Sequence, residues 1–469
     1  MQKIISGMEQ LHKKPILLLI TNSFAAINVI HSGLIKEMDR QYEVHVLSSL
    51  LGKAEIALIN KHFHIHARLI DLPFSAESRL IMLIRKIQKA IFFHYFGIET
   101  YKIKSLGENR ILNFVTYATL LIMNSLNLNK FFLILARKLI VHLSARSQNL
   151  KGLHSFHFRG VISSSPLDIV ENRIVNFLGR DKIPSVGMII SWDNLTSKGI
   201  INANHTCILA WNKFMADEYR KFYSIFGTHE SEVCITGIPR FDTYFKKPPA
   251  AHAKTNFRRK YSIKPGDKII LFATSSCKLF PRQIAVTKDL IAYTREHKNT
   301  VLIVRCHPAD NFHLYDPFSD EDNLRIWFPD NHFASPVLKS TARMPDLNFL
   351  DSLTEMIRHC DVCINAASTM RLDAAACNKH IISIAYDGKH ELPYSESVRR
   401  LYDYSHQIPL NRLKIDHIVT NKEELFSALD TVLTENSECN NLSKIRPFIF
   451  HKEPKSVHAA MSAIKKCLG

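Results

Sequence analysis

The sequence predicts an α/β protein with two doubly wound parallel sheets that face a cleft. Three observations predict it. Short aliphatic runs alternate with helix-length segments, the pattern of parallel sheets with helical crossovers. The alternation breaks at residues 247–254 (Lys-Pro-Pro-Ala-Ala-His-Ala-Lys), which read as a linker, and then restarts. Polar clusters follow directly on several strands, at the carboxyl ends where such sheets bind ligands.

The chain has 469 residues, enough for two domains with separate cores. Its hydrophobic fraction of 46% and charged fraction of 22% are those of a folded protein rather than a disordered one. The expected division is a first domain at 1–247, a second domain at 255–440, and a helical segment at 441–469 that packs back on the first. No internal repeat is visible.

In the first half the expected strands are Ile16–Ile20, Glu43–Leu47, His64–Ile70, Gly160–Ser164, Ser185–Ile190, Thr206–Ala210 and Glu232–Thr236. Ile16–Ile20 is wholly aliphatic, as a strand buried on both faces requires. The run Pro15–Ile20 is too short for the core of a secretory signal. Ile27–Met38 is the helix expected between the first two strands. In the second half Lys268–Ala273, Thr300–Arg305, Asp361–Asn365 and His380–Ala385 read as strands. Arg282–Glu296, Thr369–Cys377 and Val457–Leu468 read as helices.

Residues 79–145 interrupt the first domain with aromatic, aliphatic and basic residues, such as Arg79 to Lys86 and Lys130 to Lys138. They read either as amphipathic helices packed on the core or as a surface dipping into an anionic bilayer. The uncharged run Phe114–Leu128 contains Asn124 and Asn127 and is short for a span.

The formal charge is +18, from 61 Lys and Arg against 43 Asp and Glu. Such a protein suits phosphorylated ligands or an anionic surface. No zinc finger, basic zipper or RNA-recognition signature is present, so nucleic acid is not an expected partner. Nine scattered cysteines suit a reducing compartment. Cys360 and Cys363 lack a second pair for zinc and read as core residues.

The loop Ser191-Trp192-Asp193-Asn194-Leu195-Thr196-Ser197-Lys198-Gly199 gathers a carboxylate, an amide, hydroxyls and a lysine at one strand end. Asp193 suits a general base, and Lys198 or Thr196 suits a phosphate or an acceptor, with Trp192 and Asn194 beside them. A turn satisfied by Asp193 and Asn194 is the structural alternative. Arg305-Cys306-His307-Pro308 closes another strand, where His307 fits hydrogen-bond donation to a leaving phosphate. Ser368 and Thr369 open a helix and suit either a phosphate or an ordinary N-cap. Asp373 on that helix suits a ribose hydroxyl or a solvated charge. Ser275 and Ser276, in the Thr274–Lys278 turn, face the same donor. Asn22 lies on an acceptor-side loop, and Thr236–Asp242 reads as a structural turn.

Taken together, Arg305-Cys306-His307-Pro308, the Asp361–Asn365 run with Ser368-Thr369, and the Ser191–Gly199 loop are similar to three motifs of a known group. Residues 155–395 resemble the GT-B glycosyltransferases, in particular the bacterial branch containing the CDP-glycerol glycerophosphotransferases. The resemblance implies two Rossmann-like domains, a donor diphosphate on the second, an acceptor on the first, and no catalytic metal or cofactor. In that branch a histidine, its presumed base, occupies the place of Asp193. Asp373 stands for the glutamate usual in ribose contacts.

The resulting expectation is an inverting, metal-independent glycosyltransferase of bacterial surface-polysaccharide, capsule or lipopolysaccharide synthesis. Its partners would be a nucleotide-sugar donor, a lipid-linked or saccharide acceptor and an anionic membrane surface. It would be cytoplasmic and peripheral on the inner face of the membrane. Asp193 would be the base, His307, Ser368, Thr369 and Ser275 would hold the departing diphosphate, and Asp373 the ribose. The alternatives are a CDP-alcohol phosphotransferase, a nucleotide-sugar 2-epimerase and a non-catalytic sugar- or lipid-binding protein.

Overall fold

The computed structural model describes residues 13–72, 76–106, 110–146, 148–227, 231–246, 253–329, 344–389, 391–434 and 439–469. The first sheet holds β1 (Pro15–Ile20), β2 (Glu43–Ser48), β3 (Arg68–Leu69), β4 (Gly160–Ser163), β5 (Ser185–Met188), β6 (Cys207–Ala210) and β7 (Glu232–Ile235). Their order is β3-β2-β1-β4-β5-β6-β7. The second sheet holds β8 (Lys268–Ala273), β9 (Thr300–Arg305), β10 (Leu324–Trp327), β11 (Val362–Asn365), β12 (His380–Ile384) and β13 (His417–Val419). Their order is β10-β9-β8-β11-β12-β13. The pairings are parallel, as in β1 with β4 and β8 with β11. The fold is therefore the predicted α/β pair of doubly wound sheets. Each sheet reverses strand order once, between β1 and β4 and between β8 and β11, and such switch points open ligand crevices.

Side-chain chemistry explains the central strands. Ile16 to Ile20 and Ile269 to Phe272 have no exposed surface, because helices cover both faces of each sheet. The expected strand His64–Ile70 shrinks to β3. His64 takes a left-handed backbone (φ 54°) that closes the helix Lys53–Phe63. The expected helix Ile27–Met38 is broken into Ser23–Ala26, a π-helical turn Ile27–His31, and Leu34–Gln41. Gly33, at φ 85°, makes the break, and the Ser32 hydroxyl donates to the Asn28 carbonyl at 2.7 Å. Of the expected linker, residues 247–252 lie outside the described residues. Its last two, Ala253 and Lys254, instead begin the helix Ala253–Lys260.

The helix Ser456–Leu468 returns to the first sheet. Asp242 caps it from a distance, accepting from the Ser456 and Val457 amides at 2.9 Å each. Its buried side chains Ala460, Met461, Ile464 and Leu468 join the core around β1 and β5. At Gly160 a side chain would lie 2.3 Å from Leu468 Cδ2, so a larger residue there would require the Leu468 side chain to move.

Residues 79–145 contribute the helices Arg79–Tyr95, Glu99–Ser105, Arg110–Ser125 and Leu128–Ser144. Their inner faces bury Phe92, Phe93, Leu133 and Ile140. Arg137 is also buried, and donates to the carbonyls of Ile201 at 3.3 Å and Ala203 at 2.9 Å. Their outer faces expose Leu80, Leu83, Ile122, Phe131 and Leu135. Among the described residues no single helix is long and apolar enough to cross a membrane. One bent pair, Tyr117–Ser125 with Leu128–Ser144, passes by length and composition at an angle of 101°.

Candidate active site

The second-domain wall is built on Asp310, which ties two strand-end turns together. Its carboxylate accepts from Thr274 (2.6 Å), Gln283 (2.6 Å) and Tyr315 (2.8 Å). Thr274 in turn accepts from the backbone amide of His307 at 2.8 Å. The Gln283 side chain also brackets Ser275, accepting from its amide at 2.7 Å and donating to its carbonyl at 3.0 Å. The turn after β8 and the turn after β9 are thus one rigid unit carrying Ser275, Ser276 and His307. Neither Asp310 nor Gln283 was marked by the sequence motifs.

His307 is half-buried, and burial pushes its imidazole down to about 4, so the ring is neutral near pH 7. Its Nδ1 accepts from the Ala309 amide at 2.9 Å. The ring proton therefore sits on Nε2, which makes that atom a neutral hydrogen-bond donor.

After β11 the chain turns through Ala366 to Thr369 into the helix Met370–Ala376. Ser368 provides the cap, accepting from the Met370 amide at 3.2 Å, while the Thr369 side chain makes no cap bond. The turn is held from behind. Arg371 is fully buried, donates to Asp416 (2.8 Å), Gln407 (2.9 Å) and Asn411 (2.7 Å), and Gln407 donates to the Ala367 carbonyl at 2.8 Å.

Asp193 lies on the first-domain wall, after β5. The hydroxyls of Ser191 and Ser197 donate to its two oxygens, and the Lys198 ammonium stands 3.7 Å away. Burial acts to raise its pKa. Lys198, His406 and the two hydroxyls override that and hold it at about 2. The carboxylate is therefore ionised near neutral pH and is a permanent negative charge in this wall.

His406, which no motif marked, faces this loop from the second domain. Its ring meets Trp192 edge-on at 5.4 Å, and its Nδ1 is buried without a hydrogen-bond partner. Burial lowers its pKa to about 4, against the opposing pull of Asp193. The helix Glu99–Ser105 closes the side of the cleft. The Thr100 amide donates to Ser405 Oγ at 3.3 Å, and the Ser405 amide donates to Thr100 Oγ1 at 2.9 Å.

Five expectations are corrected. Asp373 does not present a free carboxylate to a ribose, because it is buried against Arg240 (2.6 and 3.2 Å) and Tyr244 (2.6 Å). Arg305 does not reach a donor phosphate, because its buried guanidinium stacks on Trp327 at 3.7 Å. Asn194 is buried and accepts from the Ser191 amide at 3.1 Å, and Thr196 is buried beneath its own loop, so neither faces the cleft. Asn22 caps the helix Ser23–Ala26, accepting from the Ala25 amide at 3.0 Å. Behind it Glu171 is buried and accepts from Thr21 (2.7 Å), Ser163 (2.7 Å) and the Ser165 amide (2.8 Å). Among the described residues no cluster of three His, Cys, Asp or Glu side chains stands in metal-binding array.

Two doubly wound parallel domains facing a cleft make the GT-B fold. The profile of the CDP-glycerol:poly(glycerophosphate) glycerophosphotransferase family matches residues 201–449, more than half of the chain, and the protein belongs to that family. It is an enzyme that transfers a sugar or a phosphate-bearing group. No curated protein matches the chain by sequence. Solved structures share its fold. Staphylococcus aureus MnaA in complex with UDP superposes with a TM-score of 0.55 at 11% identity, covering 96% of each chain. A putative UDP-N-acetylglucosamine 2-epimerase from Listeria monocytogenes gives 0.55 at 9% identity, covering 97% of this chain and 96% of its own. A glycosyltransferase from Rickettsia africae gives 0.51 at 10% identity, covering 98% and 99%.

Proposed function

We propose that the protein transfers a sugar from a nucleotide-sugar donor to a lipid-linked or saccharide acceptor of a bacterial surface polysaccharide or lipopolysaccharide, with inversion and without a metal. The observation that carries this reading is the ionised Asp193 where the resembled phosphotransferases have histidine. Sugar transfer passes through a transition state with positive charge at the anomeric carbon. Phosphoryl transfer spreads negative charge over the oxygens around phosphorus. At about 4 Å and an effective dielectric near 20, a unit charge interacts with another by about 4 kcal/mol. A fixed carboxylate favours the first and opposes the second; Lys198 at 3.7 Å offsets part of that charge, and the remainder supports sugar transfer.

In this reading the Asp193 carboxylate stabilises the developing cation and accepts the acceptor hydroxyl's proton as that oxygen attacks. His307 Nε2–H, Ser275, Ser276, Ser368 and Thr369 face the departing diphosphate. The UDP held by the MnaA structure supports a nucleotide donor on the same fold. The exposed apolar face of residues 79–145, edged by Arg79, Lys86, Lys130 and Lys138, supports attachment to an anionic bilayer on its cytoplasmic side, where a lipid-linked acceptor is presented.

Family membership favours a second reading, transfer of an alcohol phosphate from a CDP-alcohol. Incubation with nucleotide sugars and CDP-alcohols in turn, with mass analysis of both products, separates the two. A glycosylated acceptor with release of nucleoside diphosphate is expected. A phosphodiester product with release of CMP would replace the proposal by the second reading.

A further inference from the structure

We infer that Lys89, Lys104 and Lys198 form a phosphate seat, closed over the cleft by the helices inserted into the first domain. The identity of the molecule bringing the phosphate rests on the proposed function; the seat itself rests on the following geometry. The three lysines come from three elements: the helix Arg79–Tyr95, the helix Glu99–Ser105 and the loop behind Asp193. Lys198 stands 3.7 Å from Asp193, and the Lys89 stem passes 3.7 Å from the position a side chain would take at Gly199. Lys104 reaches across the domain boundary, with its ammonium 5.4 Å from the Tyr404 ring, and Tyr404 in turn lies 5.9 Å from the His406 ring. The Thr100–Ser405 pair of hydrogen bonds fixes this approach.

The charges in the seat do not balance. Partial burial and Lys198 lower the pKa of Lys89. Partial burial lowers that of Lys104, which Asp193 opposes and Lys198, Lys89 and Arg400 reinforce. Asp193 is the carboxylate facing these ammonium groups. Three cations against one anion, with Lys89 half-buried and Lys104 and Lys198 open to the cleft, complement a phosphate or a diphosphate.

Three buried arginines of the second domain are engaged within it. Arg305 lies under Trp327, Arg371 is paired with Asp416, and Arg400 donates to the carbonyls of Glu396 and Ser397. Lys278, at the tip of its loop, projects to solvent. His307 is a neutral donor. The first domain adds cations from across the cleft, Lys89 and Lys104 from the insertion and Lys198 from the Asp193 loop.

Calorimetric titration of the full chain with inorganic pyrophosphate tests the seat without requiring turnover. Parallel titrations with UDP, CDP and glycerol 3-phosphate distinguish a donor diphosphate from an acceptor phosphate. Lys104→Ala and Lys89→Ala are each expected to weaken pyrophosphate at least tenfold, and Lys104→Arg to keep most of the affinity. Thermal melts check that each variant is folded, and Lys104→Met replaces the alanine variant if that one is not. A parallel loss for UDP or CDP assigns the seat to the donor; a loss confined to pyrophosphate and glycerol 3-phosphate assigns it to the acceptor. Wild-type affinities in a folded Lys89→Ala/Lys104→Ala variant, or a wild-type protein that binds none of these phosphates, overturns the seat. Lost sugar transfer with intact pyrophosphate binding bears on the proposed function alone.

Discussion

Arg240 grips both oxygens of Asp373, at 2.6 and 3.2 Å, and Tyr244 donates to the same carboxylate at 2.6 Å. The contact joins the segment leaving the first sheet to the helix behind the Ser368–Thr369 turn. Asp373→Ala would leave a buried guanidinium unpaired, which costs about 3–5 kcal/mol. A matching loss in chemical denaturation is expected, with nucleotide affinity of the folded protein unchanged at low temperature. Normal stability with lost nucleotide affinity would return Asp373 to the ribose.

Asp193→Asn removes the fixed negative charge while preserving shape. Turnover should fall by at least 100-fold without loss of donor affinity, as read from initial rates and titration. The same change removes the attraction that holds His406 up, so its pKa should drop further, which NMR of the imidazole would follow. Stability carries a second signature. Asp193 is at about 2 in the fold against an ordinary 3.8, so its stabilisation is complete above about pH 4 and lost as pH falls through 2. The Asn variant should lack that acid-side slope. Full turnover in this variant would remove Asp193 from the chemistry.

The central strands were legible because both faces are buried, which leaves unbroken aliphatic runs such as Ile16–Ile20. The edges were not. β10 carries Arg325, whose guanidinium donates to the Tyr261 and Ser262 carbonyls, and β13 has three residues. The missed edge explains a misplaced site residue, since Arg305 turns inward to stack on Trp327 of β10. His406 and Lys104 were invisible for another reason. Each meets Asp193 only when two domains and an insertion come together, and no local spacing records that. Asp373 was misread in the same way, because its partner Arg240 sat in a turn that read as merely structural.

Glu171 should make stability fall with rising pH. Burial, with the charge of Asp168, lifts its pKa to about 8 against the hydrogen bonds of Ser163, Ser165 and Thr21, while the unfolded value is near 4.5. Between these values the folded state holds a proton that the unfolded state has released. Its stabilisation is therefore full below about pH 4.5 and is lost as pH rises through 8. Glu171→Gln keeps an acceptor for the Ser165 amide, and its NH2 can donate to rotatable hydroxyls. Melting temperatures from pH 5 to 8.5 should decline less in this variant than in the wild type. Parallel curves would show that Glu171 does not change protonation on folding.

The outer face of the insertion carries the last prediction. Leu83, Phe131 and Leu135 project into solvent from the helices Arg79–Tyr95 and Leu128–Ser144, whose opposite sides are anchored by Phe92, Leu133 and the buried Arg137. An exposed apolar surface edged by lysine and arginine gains from both acyl-chain contact and anionic headgroups. Each basic residue near such a surface adds about 1 kcal/mol of attraction, which salt screens. Flotation with vesicles containing phosphatidylglycerol should recover the protein at low salt, less at high salt, and little with neutral phosphatidylcholine. Leu83→Asp/Phe131→Asp should abolish recovery without lowering the melting temperature, because neither side chain supports the core. Transfer to a short soluble acceptor should survive in that variant while transfer to a membrane-borne acceptor falls at least tenfold. Equal flotation of variant and wild type would assign this face to something other than a bilayer.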